Sequence, residues 1–151
     1  MKIFEDYFSE LQAEMVSICL EYLNDCNVEL DTVNNIYIHC SYERSIMCNL
    51  FFRINGEMTK IHKVSSAIPH KKRPMEAIRH CNDTLKEINT ICKQHKRPMP
   101  TEIRLVYDVL KNGLETAYKY EPICYVGKEV ILAEHIAGEW FEQLRMTENG
   151  N

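Results

Sequence analysis

Apolar side chains in the first 26 residues recur at spacings of three and four, which is the period of an amphipathic helix. The stripe consists of Phe4, Phe8, Leu11, Met15, Cys19, Tyr22 and Cys26. Most acidic side chains of this segment lie off the stripe, and polar residues interrupt it at 24–27. The pattern therefore predicts a long first helix that buries one face and ends near residues 24–27.

The middle of the chain changes to a period of two, which is typical of strands with one buried face. One alternating run covers 36–42 and a second covers 46–54. Asn55-Gly56 follows and predicts a tight hairpin turn, because both residues tolerate positive φ. A third strand is predicted over 57–64, so that this part of the chain forms an antiparallel meander.

The rest of the chain predicts a helix, a second hairpin and a final helix. An apolar stripe at helical spacing begins near Pro74, a suitable first-turn proline, and ends before 96–100. Alternating runs at 103–109 and 114–120 flank an Asn-Gly turn signal. A wide apolar stripe over 128–146 predicts a last helix with considerable burial.

The predicted element order is helix, three strands, helix, two strands, helix. Strand runs joined by hairpins favour an α+β fold, in which an antiparallel sheet of about five strands carries three helices on one face. The length of 151 residues fits a single domain over 1–146, with a frayed tail at 147–151.

Cysteine usage and hydropathy bear on the compartment. The chain has seven cysteines, an odd number, and its first residues lack the apolar run of a signal peptide. So many unpaired thiols favour a reducing cytoplasm, with cysteines acting as small core residues. No segment approaches the roughly 20 apolar residues that cross a membrane, so no membrane partner is expected.

Charge is distributed unevenly along the chain. Residues 1–50 carry two basic and nine acidic side chains, residues 51–100 carry eleven basic and four acidic, and residues 101–151 carry five basic and nine acidic. Such a chain can fold into a molecule with faces of opposite charge, and these faces steer the approach of binding partners. Glu10 and Glu14, one helical turn apart, are candidates for contact with a basic partner.

The basic segments that flank the second helix permit an alternative reading as a nucleic-acid-binding module. The candidate residues for this patch are Lys71, Lys72, Arg73, Lys96 and Arg97. Against it, the chain is acidic overall, and its strands lack the exposed aromatic ladder of an RNA-binding sheet.

Side-chain chemistry argues against catalysis and metal binding. The chain has no CxxC or HxxxH pair, and its two His-Cys dipeptides point their side chains to different sides of an element. Several cysteines fall on apolar stripes, which are packing positions, and no glycine-rich phosphate loop is present. We therefore predict no catalytic residues, no metal and no cofactor.

The sequence of the second hairpin resembles that of a known protein family. Its residues Pro100-Thr101-Glu102-Ile103-Arg104-Leu105-Val106-Tyr107-Asp108-Val109, then Asn112-Gly113, then Tyr118-Lys119-Tyr120-Glu121, resemble the YezG-like immunity proteins. The likeness also covers the order of elements over most of the chain. It implies an antitoxin of the bacterial cytoplasm that binds the C-terminal domain of a secreted polymorphic toxin, expected to be a nuclease, without turnover or cofactor.

The resemblance adds candidate contact residues. Alternation places Tyr107 and Tyr118 on the apolar side of the hairpin, and Glu102 and Asp108 on the opposite side, which is expected to be more exposed. Glu102 and Asp108 are therefore candidates for toxin contact, together with the acidic residues of the first helix. An exposed edge strand or the last helix would also permit a homodimer.

Overall fold

A five-stranded antiparallel sheet forms the centre of the computed structural model, which describes residues 2–64 and 73–147. The described elements, in chain order, are α1 (Phe4–Asp25), a 3-10 turn (Leu30–Thr32), β1 (Val33–Tyr42), β2 (Ile46–Ile54), β3 (Glu57–Lys60), α2 (Ile61–Val64), α3 (Arg73–Gln94), β4 (Glu102–Asp108), β5 (Gly113–Lys119), β6 (Tyr125–Val126), β7 (Glu129–Val130) and α4 (Ala133–Thr147). The strand order is β3-β2-β1-β4-β5, with β6 and β7 as a separate hairpin. The predicted α+β class is confirmed, and the order of the elements roughly matches the prediction.

The main core lies between the sheet and the two long helices. Helix α1 buries Met15 and Cys19 of its predicted stripe, and Leu23 beside it, against α3 and the sheet. From α3, Leu85 and Ile88 are fully buried in the same cluster. Burying each large aliphatic side chain contributes roughly 1.5–3 kcal/mol, so this layer supplies most of the apolar burial.

A second core lies on the opposite face of the sheet, beneath α4. Trp140 packs edge-on against Tyr37 and Phe51, with ring centroids 5.7 and 5.4 Å apart. Phe141 adds an edge contact with Phe51, and Met58 completes the cluster. The expectation that all helices lie on one face is therefore wrong, because the aromatic face of α4 buries the supposedly open side of the sheet.

The ends of two elements differ from the prediction. The third strand ends at Lys60, and a single helical turn, α2, replaces its predicted end. The last helix begins at Ala133 instead of 128, because β6 and β7 form a small hairpin whose turn has Gly127 at φ +64°. The predicted tail overlaps α4 at Thr147, and its residues 148–151 lie outside the described part.

The two predicted Asn-Gly turns are confirmed. Asn55 and Gly56 adopt φ angles of +54° and +79° between β2 and β3. Asn112 adopts φ +53° between β4 and β5. These positive values explain why Asn and Gly occupy the turns, since most other residues are strained there.

Candidate functional site: an acidic groove between two helices

The outer surfaces of α1 and α3 meet in a groove with a volume of about 330 Å³. Its lining residues are Tyr7, Glu10, Leu11, Glu14, Glu87, Thr90 and Ile91. Their spacing of three and four along each helix places them on one face, next to the buried stripe. The groove therefore brings together both acidic residues of α1 that the sequence singled out.

Leu11 and Ile91 are partly buried at this groove, while the carboxylates of Glu10, Glu14 and Glu87 are exposed. Such a surface combines apolar contact area with negative charge. Apolar area gives affinity to a protein interface, whereas charge mainly raises the association rate and selects the partner.

The three carboxylates differ in their partners. Glu10 accepts a hydrogen bond from Lys2 Nζ at 3.0 Å, and this hydrogen bond is the main reason that the pKa of Lys2 is raised. Among the described residues, no basic side chain forms an ion pair with Glu14 or Glu87. The whole of α1 carries six acidic residues and no basic one. The groove thus keeps negative charge available to a partner.

The basic candidates of the alternative reading do not form one patch in the described structure. Arg73 opens α3, whereas Lys96 and Arg97 follow its end, and a helix of 22 residues separates the two groups by about 30 Å. Lys71 and Lys72 lie outside the described residues. The two ends of α3 are therefore separate basic positions.

Arg97 has a structural partner at the start of α1. Its guanidinium donates to Glu5 at 3.0 Å and lies 4.6 Å from the centroid of the Phe4 ring. The hydrogen bond from its own backbone lowers the pKa of Glu5 most, and the hydrogen bond from Arg97 lowers it further. Arg97 therefore links the C-terminal end of α3 to the N-terminal end of α1.

Asp108, a predicted contact residue, shapes the β4–β5 turn. Its carboxylate accepts a hydrogen bond from the Lys111 backbone N–H at 3.0 Å, and the Tyr107 hydroxyl donates to the side-chain oxygen of Asn112. Asp108 is half-buried. Tyr107, Asp108 and Asn112 of the hairpin motif thus stabilise the turn between β4 and β5.

Glu102, the other contact candidate of the hairpin, is not exposed as expected. Only 2% of the residue is accessible, and its Oε2 lies 2.7 Å from His39 Nε2 on the neighbouring strand β1. Arg104 Nε lies 3.4 Å from the same oxygen, and Lys119 Nζ lies 3.9 Å from Oε1. Because α4 covers this face of the sheet, the expectation of toxin contact through Glu102 is withdrawn.

Trp140 closes this polar cluster, which we define as His39, Glu102, Arg104 and Lys119. The indole lies 6.0 Å from the His39 ring, and the Arg104 guanidinium lies 5.0 Å from the indole centroid. Burial raises the pKa of Glu102, but the hydrogen bond with His39 and the nearby positive charges outweigh it, so the pKa is lowered overall. The Glu102 carboxylate on β4 therefore links this strand to β1 through His39 and to β5 through Lys119.

Sequence reasoning missed an anchor at the β1–β2 turn. The Glu43 carboxylate accepts hydrogen bonds from the backbone N–H groups of Ile123, Cys124 and Tyr125 at 2.7, 2.9 and 3.2 Å. Arg44 stacks on the Tyr125 ring at 4.4 Å. An acidic residue in a turn is usually exposed, so the sequence around Glu43 did not predict these long-range hydrogen bonds.

A second groove, of about 570 Å³, lies between β2, the start of α3 and α4. Its walls are mainly apolar and include Phe51, Ile78 and Phe141, with the Lys60 ammonium 5.2 Å from the Phe141 ring centroid. This groove offers room for an apolar side chain. The groove between α1 and α3 is the one whose charge matches a basic partner.

The cysteines are arranged for packing. All seven are buried with free thiols, and the sulfur atoms of Cys40 and Cys48 lie 3.6 Å apart. The pKa of Cys19 is raised well above its ordinary value, mainly by a hydrogen bond with Cys81 and secondly by burial. The pKa of Cys48 is raised in the same way by a hydrogen bond with Cys40 and by burial. These environments disfavour the thiolate, which is the reactive form.

The described residues, 2–64 and 73–147, also bear on metal binding and membrane insertion. This part of the chain has no group of three or more His, Cys, Asp or Glu residues that could hold a metal ion. None of its helices combines the length and apolar character needed to span a bilayer.

No family model matches the chain, and no curated protein matches its sequence.

Proposed function

We propose that this chain is an immunity protein, which neutralises a secreted toxin by one-to-one association in the cytoplasm of the producing cell. The proposal begins with the resemblance of residues 100–121 to the YezG-like immunity proteins. The groove between α1 and α3 supports it, because a protein that acts by binding needs a complementary surface. The expected partner is the C-terminal domain of the toxin, a nuclease whose basic surface engages phosphates.

The observation that carries the proposal is the geometry of the groove. Glu14 and Glu87 flank a floor that includes Leu11 and Ile91. A lysine or arginine of the toxin fits such a place, since its aliphatic stem packs on the floor while its charged head meets the carboxylates. Neighbouring apolar contacts would then supply the anchors that tight binding requires.

The first test is recovery of the partner from the source bacterium with a tagged chain. The proposal expects a toxin domain at a one-to-one ratio that stays bound at high salt, identified by mass spectrometry. The purified domain should then lose its nuclease activity linearly as the chain is added, and reach zero at one equivalent. Protection at far less than one equivalent would indicate turnover and contradict the proposal.

Charge reversal in the groove tests where the toxin binds. We expect the double variant Glu14→Lys/Glu87→Lys to weaken binding by about tenfold or more, mainly through slower association. The double variant Glu134→Lys/Glu139→Lys is the matched control, because both residues are also exposed helical glutamates but lie on α4. Unchanged binding of the groove variant would exclude this surface. Nucleic acid that washes off with salt would favour the basic-segment alternative.

A further inference from the structure

Strand β5 forms an open edge of the sheet. Six of its seven residues are exposed, and among residues 2–64 and 73–147 it pairs only with β4. The opposite edge strand, β3, has four residues. The register between β4 and β5 runs without a shift from Glu102–Lys119 to Asp108–Gly113, so β5 is regular enough to accept another strand.

The hydrogen-bond pattern shows which groups of β5 face outward. The Val109 N–H, just after β4, donates to the Asn34 carbonyl on β1 at 3.1 Å, which directs the main-chain groups of odd-numbered β4 residues to β1. Even-numbered residues of β4 therefore face β5, where their partners are odd-numbered. The N–H and C=O groups of Leu114, Thr116 and Tyr118 consequently point away from the sheet.

We propose that two copies of this chain pair through β5, antiparallel, about a two-fold axis at Ala117. In this register Thr116 of one copy lies opposite Tyr118 of the second copy, and their outward main-chain groups form the new hydrogen bonds. Glu115 of each copy lies opposite Lys119 of the other. The two sheets then continue as one sheet of ten strands.

Charge selects this register among those that symmetry allows. Glu115 and Lys119 would form non-hydrogen-bonded pairs, in which facing side chains of antiparallel strands lie closest. A register centred on Thr116 would instead place Glu115 opposite Ala117 and lose both charge pairs. Charged residues on an edge strand often prevent pairing, but here the two-fold axis makes them complementary.

Apolar residues at the ends of the strand add to the contact. Leu114 is 38% exposed and Tyr120 is 51% exposed in the single chain. The register centred on Ala117 places them opposite each other on both sides of the axis. An edge contact of this kind is small, so the dimer is expected to be weak and reversible.

Light scattering after size exclusion tests the pairing. The wild-type chain should change from 17.8 kDa toward twice that mass between about 5 and about 500 µM, a range suited to small interfaces. Glu115→Lys and Lys119→Glu should each remain monomeric, because like charges then face each other. An equimolar mixture of the two variants should recover the doubled mass, since it restores both opposite-charge pairs.

The matched control is Glu57→Lys, which makes the same charge change on the other edge strand and should leave the dimer intact. A wild-type mass of 17.8 kDa at about 500 µM would overturn the proposal, as would a Glu115→Lys variant that dimerises like wild type.

A cysteine variant provides a second test that leaves Lys119, which also contacts Glu102, unchanged. Ala117→Cys should cross-link rapidly on mild oxidation, since facing residues at a non-hydrogen-bonded pair lie within disulfide distance. The native thiols are all buried and should not compete. Glu57→Cys is the control. Equal cross-linking of the two variants would refute the register.

Discussion

Replacing Glu102 tests whether the polar cluster stabilises the fold. Glutamine keeps the shape of the side chain and still accepts the hydrogen bond from His39, but it removes the negative charge beside Arg104 and Lys119. A hydrogen bond to a charged group contributes about 1.5–3 kcal/mol, against about 1 kcal/mol for a neutral one. The Arg104 and Lys119 side chains are 28% and 51% exposed, so water compensates part of the loss. We expect Glu102→Gln to lower the free energy of unfolding by about 1–2 kcal/mol.

Glu102→Ala should cost more for a specific reason. The His39 side chain is fully buried, and its Nδ1 already lacks a hydrogen-bond partner in the described structure. Alanine would remove the acceptor of Nε2 as well and leave the imidazole without a partner. Leaving one member of a buried pair unsatisfied costs about 3–4 kcal/mol, which is well above the expected effect of glutamine.

The lowered pKa of Glu102 gives this prediction a pH signature. A carboxyl whose folded-state pKa lies below its ordinary value of 4.5 stabilises the protein fully above that value. The contribution is lost as the pH falls through the folded-state pKa, where the carboxylate becomes protonated. The difference in stability between wild type and Glu102→Gln should therefore be constant near neutral pH and shrink below pH 4.5.

Urea denaturation followed by circular dichroism, at a series of pH values, measures these differences from the transition midpoints. Glu139→Gln serves as the control, because it removes an exposed carboxylate on α4 and should leave the midpoint nearly unchanged. The reasoning would be refuted if Glu102→Gln were as stable as wild type at neutral pH. It would also fail if the difference did not change on acidification.

Three further predictions follow from the packing. Trp140→Ala should lower the free energy of unfolding by about 3–5 kcal/mol in urea melts followed by circular dichroism, since it removes the largest side chain of the second core. A loss below about 1 kcal/mol would show that Trp140 is not packed there. Glu43→Ala should speed hydrogen exchange of the amides at 123–125 by about tenfold, because each loses its acceptor, and unchanged exchange would contradict the anchor. A thiol reagent should label the cysteines slowly in the native state and all seven in urea, because burial and raised pKa values protect Cys19 and Cys48; fast native labelling of either would contradict this.

Local patterns were sufficient for most of the fold. The apolar stripes of α1 and α3 follow the helical period closely, and each stripe is buried in the main core. The hairpin at Asn55-Gly56 was predictable because few residues other than Asn and Gly adopt positive φ easily. These features depend on interactions between residues close in sequence, so the sequence pattern reports them directly.

The position of α4 was not predictable in the same way. On β1, residues 37 and 39 read as the polar face of an alternating strand, yet both are buried beneath Trp140. An available signal was Phe51, a large aromatic residue on the same face of β2. A large aromatic residue on that face indicates that another element covers it, but which element does so depends on a contact between residues nearly ninety positions apart.

The wrong prediction that Glu102 is exposed has the same physical origin. A glutamate in an alternating strand is normally exposed, because burying a lone charge is costly. Here His39 comes from a strand more than sixty residues earlier, and only the pairing of β1 with β4 brings the two together. Glu10 and Glu14 were easier to place, since their exposure depends on their own helix alone.

The central place of β1 has a consequence for synthesis of the chain. Its partner β2 follows after a short turn, but its other partner, β4, begins about 60 residues after β1 ends. At about 5–20 residues per second, a ribosome needs roughly 3–12 s to supply those residues. During that interval the nascent sheet carries a vacant edge along its innermost strand, where strands of neighbouring nascent chains can add. Weaker translation initiation should therefore raise the soluble yield more than changes to the finished surface.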